Sequence, residues 1–510
     1  MKKEKKIKIH PILVFLILTF IVMILSSIGH VLKLETSYNT VNAITGELES
    51  QIVTIDSLFN RTGIQYLISN ALSNFINFAP LGTIIVGLFG IGVSYKSGFL
   101  TALFKSLTKN KSRKLITFIV VLMGILFSMF YEAGYVILIP LSAILFMTLN
   151  RHPNAGICAS FAGITFGYGA NFVINGLDSV LLPYTNNAAH ILDTSYNVNI
   201  SGNLFFIIAS SIVLAFLGTI ITEKYVIPRL GKYTSTNEEE NNIPLNSNEK
   251  KGLIISITTI VLISLLVIYC IIPGLPFSGL LLYLKDSTYI EQLFGYNSYF
   301  NQGSVFIFSV LLIIAGLIYG LRLKTIKHNK DFIDGMNYYL TNISSILVLM
   351  FFVAQFVAVF KKSNLGVFVT ASIIEFIGSL QISGILLIII TFIVILICSI
   401  FLPVASTKWA IMSPVLIPMF MQSSFTPEFA TAIFRAGDAV IKSINPLFTY
   451  FVILIGFLQI YNQDNKNVTI TDAMSLIAPY TISAIVVWIL IILGFYIIGI
   501  PLGPSVNPII

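Results

Sequence analysis

Apolar residues run along this chain in long blocks. The clearest are 11–33, 115–131, 205–222, 252–276, 303–321, 384–402 and 473–498. Each is long enough to cross a bilayer with some tilt, and about nine or ten such runs are present, taking roughly 20 apolar residues per span. Other apolar stretches are broken by Gly, Pro and polar residues. Residues 64–97 hold NFAPLG at 77–82, then Gly87, Gly90, Gly92 and KSG at 96–98. Residues 155–180 hold Gly163, Gly167, Gly169, Asn171, Asn175, Gly176 and Asp178. Residues 343–366 run through Gln355 to KKSNLG, and 403–446 carry Pro403, Pro414, Pro418, Pro427 and Pro446. Backbone freed by Gly or Pro is tolerated at membrane depth only inside protein or beside a water-filled cavity. The broken segments therefore predict where a substrate and ions bind.

Composition removes the soluble alternative. The 510 residues are 56% hydrophobic and 10% charged, against roughly a quarter charged in a soluble domain. This predicts one polytopic, all-α integral membrane domain. The net charge of +8 is concentrated. Lys2, Lys3, Lys5, Lys6 and Lys8 precede the first span, Lys105, Lys109, Lys111, Arg113 and Lys114 form a second cluster, and Arg322, Lys324, Lys327 and Lys330 a third. These clusters flank apolar spans, so they set topology rather than forming a nucleic-acid footprint. They place the N-terminus in the cytoplasm and the acidic stretch 35–60 outside. The block 11–33 is too long for a signal core and no small-x-small site follows it, so it is a retained span. The polar stretch 228–251 is predicted to be a cytoplasmic linker between residues 1–227 and 252–510, and 277–301 an external loop lying on the membrane surface. Cys158, Cys270 and Cys398 lie inside apolar runs without metal-site spacing.

The two halves resemble each other. Laying Tyr135 over Trp409, an offset of 274 residues (409 − 135), aligns the next stretch of chain without a gap. Pro140 then meets Pro414, Pro153 meets Pro427, Gly163 meets Gly437 and Asn171 meets Asn445. Upstream, KSG at 96–98 resembles KSNLG at 362–366 at a different offset. These matches predict an internal duplication, and a central site requires the two repeats to be inverted.

Ionisable residues in membrane segments are costly and mark function by default. Arg435, Asp438 and Lys442, spaced by three and four, share one helical face, with Asn445 and Pro446 just beyond. One carboxylate between two cations leaves a positive charge over, which suits an anionic substrate, with Asp438 as a proton-linked switch. The bland alternative is a buried ion pair that fixes packing. Asp178 is either a second carboxylate of the site or a helix cap near the membrane surface. Glu132, following a wholly apolar run, is expected to face the interior. Ser406, Thr407, Lys408 and Trp409 precede a Pro-broken helix, whose hydroxyls and free amides suit an anion. The Trp409 ring either stacks on a ligand or marks the interface belt. A Walker loop, an HExxH pair and a GxSxG elbow are all missing from the sequence, so transport would run on an ion gradient without a cofactor. The competing classes are a polytopic membrane enzyme using Asp178, Asp438 and Arg435, and a membrane scaffold. The first needs a larger active-site loop, and the second has no use for charges inside broken helices.

These residues bring a family into view. The chain resembles the p-aminobenzoyl-glutamate transporter (AbgT) family over nearly its whole length. The resemblance runs from HPILVFLIL at 10–18 through NFAPLG, AGYVILIPL, RHPNAG, the GLD around Asp178 and TEKYVIPRLG at 222–231. It continues through VAQF at 353–356, SNLG at 363–366, STKWA at 406–410, SPVLIPMFM at 413–421, RxGD at 435–438 and PLGP at 501–504. It implies a homodimer in the inner membrane whose protomers have about nine spans and two re-entrant hairpins, here near 64–97 and 343–366. It also implies a midplane site, and either import of p-aminobenzoyl-glutamate or export of sulfonamide-like antimetabolites. A related anion such as a dicarboxylate is the alternative cargo. The family's functional positions fall on Asp178, Ser406, Pro427, Arg435, Asp438 and Pro446. The chain departs from the family at its sodium site. Ser399 and Pro403 replace the liganding Asn and Gly, Lys442 stands at an Asn, Ala439 and Val440 replace hydroxyls, and Glu132 replaces the usual Asp. The departures predict a degenerate sodium site at Ser399, Pro403 and Lys442, with the Lys442 ammonium in the place of the cation and protons favoured over sodium.

Overall fold

The computed structural model describes residues 9–42, 47–231, 233, 243–285, 288–295, 297–341, 343–462 and 467–510. The first basic cluster, Lys2 to Lys8, and much of the 228–251 linker lie outside the described residues. In chain order come α1 (Pro11–Val31), the strands β1 (Glu35–Val41) and β2 (Leu48–Thr54), α2 (Arg61–Ile76), α3 (Ala79–Lys96), α4 (Phe99–Thr108) and α5 (Arg113–Phe127). A π-helical turn at Gly134–Leu138 leads into α6 (Ile139–Thr148), followed by α7 (Pro153–Phe166), α8 (Gly176–Ala189), α9 (Leu204–Ile221) and α10 (Ile227–Leu230). The second half holds α11 (Ser247–Ile271), α12 (Tyr289–Phe294), α13 (Tyr299–Leu323), α14 (Asn329–Leu340), α15 (Ser344–Lys362) and α16 (Leu365–Gly378). It ends with α17 (Gly384–Phe401), α18 (Ala405–Gln422), α19 (Pro427–Lys442), α20 (Phe451–Ile460) and α21 (Ile470–Ile498).

Among the described residues, nine helical stretches are long and apolar enough to cross a membrane. Their starts carry chemical stop signals. Pro11 occupies the first turn of α1, and capping boxes at Asn246–Glu249 and Thr469–Asp472 open α11 and α21, satisfying amides that have no intrahelical acceptor. Helix α11 buries only Gly252, Leu253 and Ser256, while Leu262, Leu265 and Leu266 are more than half exposed. That is the surface of a helix bathed in lipid.

The structure adds one element to the all-helical expectation. In the acidic stretch 35–60, β1 and β2 pair antiparallel, Glu35 opposite Thr54. The ribbon rests on α16 and α18, and Thr36 donates to Glu375 at 2.9 Å. Part of the loop at 277–301 packs on the protein, with Leu282, Leu293 and Phe294 clustered against Met129 and Phe130, while Phe277, Leu280 and Leu284 stay largely exposed.

The helices expected to form hairpins at 64–97 and 343–366 are α2–α3 and α15–α16. Residues 61–96 read as one 36-residue apolar stretch, and α15 is itself long enough to span. Interruptions that reach the interior lie at 128–133 between α5 and α6 and at 402–404 between α17 and α18, with further breaks at 167–175 after α7 and 443–450 after α19. The 274-residue offset recurs here in local structure. Helix α7 packs on α5 and α19 on α17. A Cβ on Gly163 would lie 2.4 Å from the Val121 carbonyl, and one on Gly437 2.7 Å from Ile395, the residue 274 positions beyond Val121. Asn171 donates to the Ile125 carbonyl at 3.2 Å and Asn445 to the Ser399 carbonyl at 2.9 Å, again one offset apart. Upstream, Gly98 and Asn364 both take left-handed backbone, which Gly and Asn adopt at least cost. Ser97 and Ser363 each bond the carbonyl three residues back.

Candidate functional site

The buried charges gather where α18 and α19 meet the two interruptions. Asp438 is 1% exposed and is held by two ammonium groups. Lys442, one helical turn on, pairs with Oδ2. Lys408 of α18 approaches Oδ1 at 2.5 Å and is fully buried. The Lys408 Nζ also donates to Ser399 Oγ at 2.5 Å and to the Leu402 carbonyl at 3.1 Å. Arg435 does not share Asp438. It pairs with Asp178 and donates to the Tyr168 carbonyl at 3.1 Å. The charge left over is the one expected from the sequence, with different partners. Arg435 and Asp178 balance, and two ammonium groups face one carboxylate. Such pairing is what allows these ions to be buried.

Asp178 caps a helix, its carboxylate accepting the Asn175 amide at 2.9 Å to complete a capping box at the start of α8, and it also pairs with Arg435, its side chain 9% exposed. Asn171 and Asn445 hold backbone at the two interruptions, so they shape the site from behind. Pro427 sets the first turn of α19 and Pro446 follows Asn445 in the break after it.

A cavity of about 650 Å³ opens beside this network, within the range of small-molecule pockets. Phe130, Tyr131, Tyr168, Phe294, Phe448 and Tyr450 give it aromatic walls. Lys442 supplies a cation, its Nζ 4.7 Å from the centre of the Tyr168 ring, and Glu132, hydrogen-bonded to Tyr450, is the one carboxylate among the described lining residues. Pro403, Val404, Ala405 and Ser406 bring the N-terminal end of α18 to the wall, where its amides and dipole favour negative charge. Glu132 and Ser406 are repeat partners, as are Tyr168 and Lys442 (406 − 132 = 442 − 168), so both halves build the same cavity.

Trp409 corrects both expectations placed on it. It is fully buried, donates from Nε1 to Thr185 at 2.8 Å and packs 4.4 Å from Phe434. Its place on α18 turns it into the core, so it is enclosed by protein and stands outside the cavity lining. Lys408 is the residue that sequence reasoning passed over. It stood beside Trp409 as part of a polar run, but an ammonium inside an apolar helix is itself the signal. Buried Arg151 and half-buried Glu223 form a further pair at 2.5 Å, joined by Thr117, away from the cavity lining.

Comparison with known proteins places this architecture. Residues 5–509 match the AbgT putative transporter family. The p-aminobenzoyl-glutamate transport protein of Escherichia coli (strain K12) is 29% identical over 508 residues, covering 98% of this chain and 94% of that protein. The Neisseria gonorrhoeae MtrF structure, reported for a class of antimetabolite efflux pumps, is 31% identical, covers 98% of each chain and has a TM-score of 0.50. The Alcanivorax borkumensis YdaH transporter is 29% identical, with coverage of 97% of this chain and 100% of that one at a TM-score of 0.49. Relatives of this chain are thus transporters and not enzymes, the nine candidate spans among its described residues make it a multi-pass membrane protein, and the chain belongs to the AbgT transporter family.

Proposed function

We propose that this protein is a gradient-driven secondary transporter of a small aromatic organic anion, p-aminobenzoyl-glutamate or a close relative, in the inner membrane. The observation that carries the proposal is the cavity: aromatic walls, Lys442 and the α18 N-terminal end in one lining, beside a network holding two ammonium groups to one carboxylate. An aromatic ring stacks on Phe and Tyr, and a carboxylate is drawn to the surplus cation. Two inverted repeats joined by the 228–251 linker, a homodimer and a cytoplasmic N-terminus complete the proposal.

The coupling ion in this reading is the proton. Ser399 Oγ, the Leu402 carbonyl and Asp438 form an oxygen cluster that would suit a cation, but the Lys408 ammonium already bonds all three and Lys442 takes the other carboxylate oxygen. A sodium ion would have to displace fixed charges of its own sign. The antimetabolite efflux reported for the class of the gonococcal relative favours a second direction, export of sulfonamide-like antimetabolites through the same cavity.

The test is uptake of radiolabelled p-aminobenzoyl-glutamate by purified protein in liposomes under imposed proton or sodium gradients. Uptake driven by protons without sodium, and lost in Asp438→Asn, is expected. A sodium requirement in the wild type refutes proton coupling. Failure under both gradients, with sulfonamide accumulation inside everted vesicles intact, replaces import by export.

A further inference from the structure

A second cavity, about 690 Å³, lies away from the transport site, where α4, α5 and α11 come together. Its lining is basic: Lys105, Lys109, Lys111, Arg113 and Lys250, with neither Asp nor Glu among the described lining residues. Lys105 donates to the Ile243 carbonyl at 3.3 Å, closing one side. Glu249, the acid nearest along α11, is engaged as a helix cap, accepting the Asn246 amide at 2.7 Å. Two long helices begin at this cavity, α5 at Arg113 and α11 at Ser247, and their positive dipole ends add to the field of the side chains.

The remaining wall is apolar. Ile116, Leu253 and Ile254 line the cavity, and Ile254 is 63% exposed, continuous with the lipid-facing surface of α11 through Leu262 and Leu266. A soluble phosphate would use the cations and leave this apolar track idle. A phospholipid uses both, with its headgroup among the lysines and its chains along α11. The charge bias that places the 105–114 cluster at the cytoplasmic side puts the cavity at headgroup level, and basic pockets between helices at that level bind acidic headgroups.

We infer that this cavity is a binding site for an anionic phospholipid, held by Lys109, Lys111, Arg113 and Lys250 and by the apolar face of α11. Bound there, the lipid ties the α4–α5 corner to the first helix of the second half.

Native mass spectrometry of the full-length protein in detergent tests this, with phosphatidylglycerol and phosphatidylcholine as probes and glycerol phosphate as a soluble competitor. Wild type is expected to retain phosphatidylglycerol over phosphatidylcholine and to keep it against glycerol phosphate. The Lys109→Gln/Lys111→Gln/Arg113→Gln variant should bind phosphatidylglycerol on the order of a hundredfold more weakly, given three lost contacts of headgroup strength. A control, Lys324→Gln/Lys327→Gln/Lys330→Gln, removes equal charge outside the cavity and should bind as wild type does. Thermal unfolding in detergent confirms that both variants are folded. Equal binding by the two variants overturns the site in favour of diffuse attraction, and displacement by glycerol phosphate overturns the lipid in favour of a soluble anion. Glu238, Glu239 and Glu240 precede the cavity-lining residue Ile243 in the sequence. If phosphatidylglycerol binds only when these are changed to Gln, the site belongs to the chain's own acidic run and the proposal fails.

Discussion

The Lys408–Asp438–Lys442 network makes an unequal prediction about residues that look alike. Lys408 bonds Asp438, Ser399 and the Leu402 carbonyl and is fully buried. Lys442 bonds Asp438, faces the Tyr168 ring and borders the cavity. Lys408→Met removes an ion pair and two further acceptor contacts, while Lys442 keeps the carboxylate paired. The cost should be about 3 kcal/mol, at the low end for breaking a buried pair. Lys442→Met removes one charge-assisted bond and a cation–π contact but relieves repulsion between two ammonium groups, for a net loss of about 1 kcal/mol. Asp438→Asn strands two buried cations and should cost about 5 kcal/mol. Thermal unfolding of the purified variants in one detergent should rank wild type, Lys442→Met, Lys408→Met and Asp438→Asn in falling order. Adding Lys408→Met to Asp438→Asn should recover part of the loss, since it removes one stranded charge. If Lys442→Met is as damaging as Lys408→Met, or Asp438→Asn unfolds like wild type, the charge assignment is wrong.

The same geometry sets three further outcomes. Trp409→Phe loses the bond to Thr185 and about 1 kcal/mol of stability, with the KM for transport unchanged; a raised KM at unaltered stability would return Trp409 to the substrate. Glu132→Gln should flatten the pH profile of uptake, because Glu132 is the carboxylate of the lining, whereas a profile that keeps its shape assigns the proton elsewhere. Gly163→Ala forces a Cβ to within 2.4 Å of the Val121 carbonyl and should cost about 1–3 kcal/mol. Gly494→Ala, with open space around it, should be neutral or stabilise α21 by up to about 1 kcal/mol, and equal unfolding temperatures for the two would refute the close packing of α5 and α7.

The amino-acid sequence by itself determined the membrane class and the uninterrupted spans, because apolar length is a local property that a bilayer reads directly. It also marked the breaks at 167–175 and 443–450, since Gly, Asn and Pro act on their own backbone. The offset of 274 residues was legible for the same reason, and the paired bonds of Asn171 and Asn445 repeat it in space. Partnership was decided only by the tertiary structure. Helical spacing placed Arg435 beside Asp438, yet Arg435 turns to Asp178, 257 residues away along the chain, and Lys408 takes its place. The indole of Trp409 changed roles in the same way, drawn into the core against Thr185, and Phe294 came to line the cavity from a distant loop. Spacing along a helix determines which face a charge shares, but which opposite charge it meets depends on helices that arrive from distant parts of the chain.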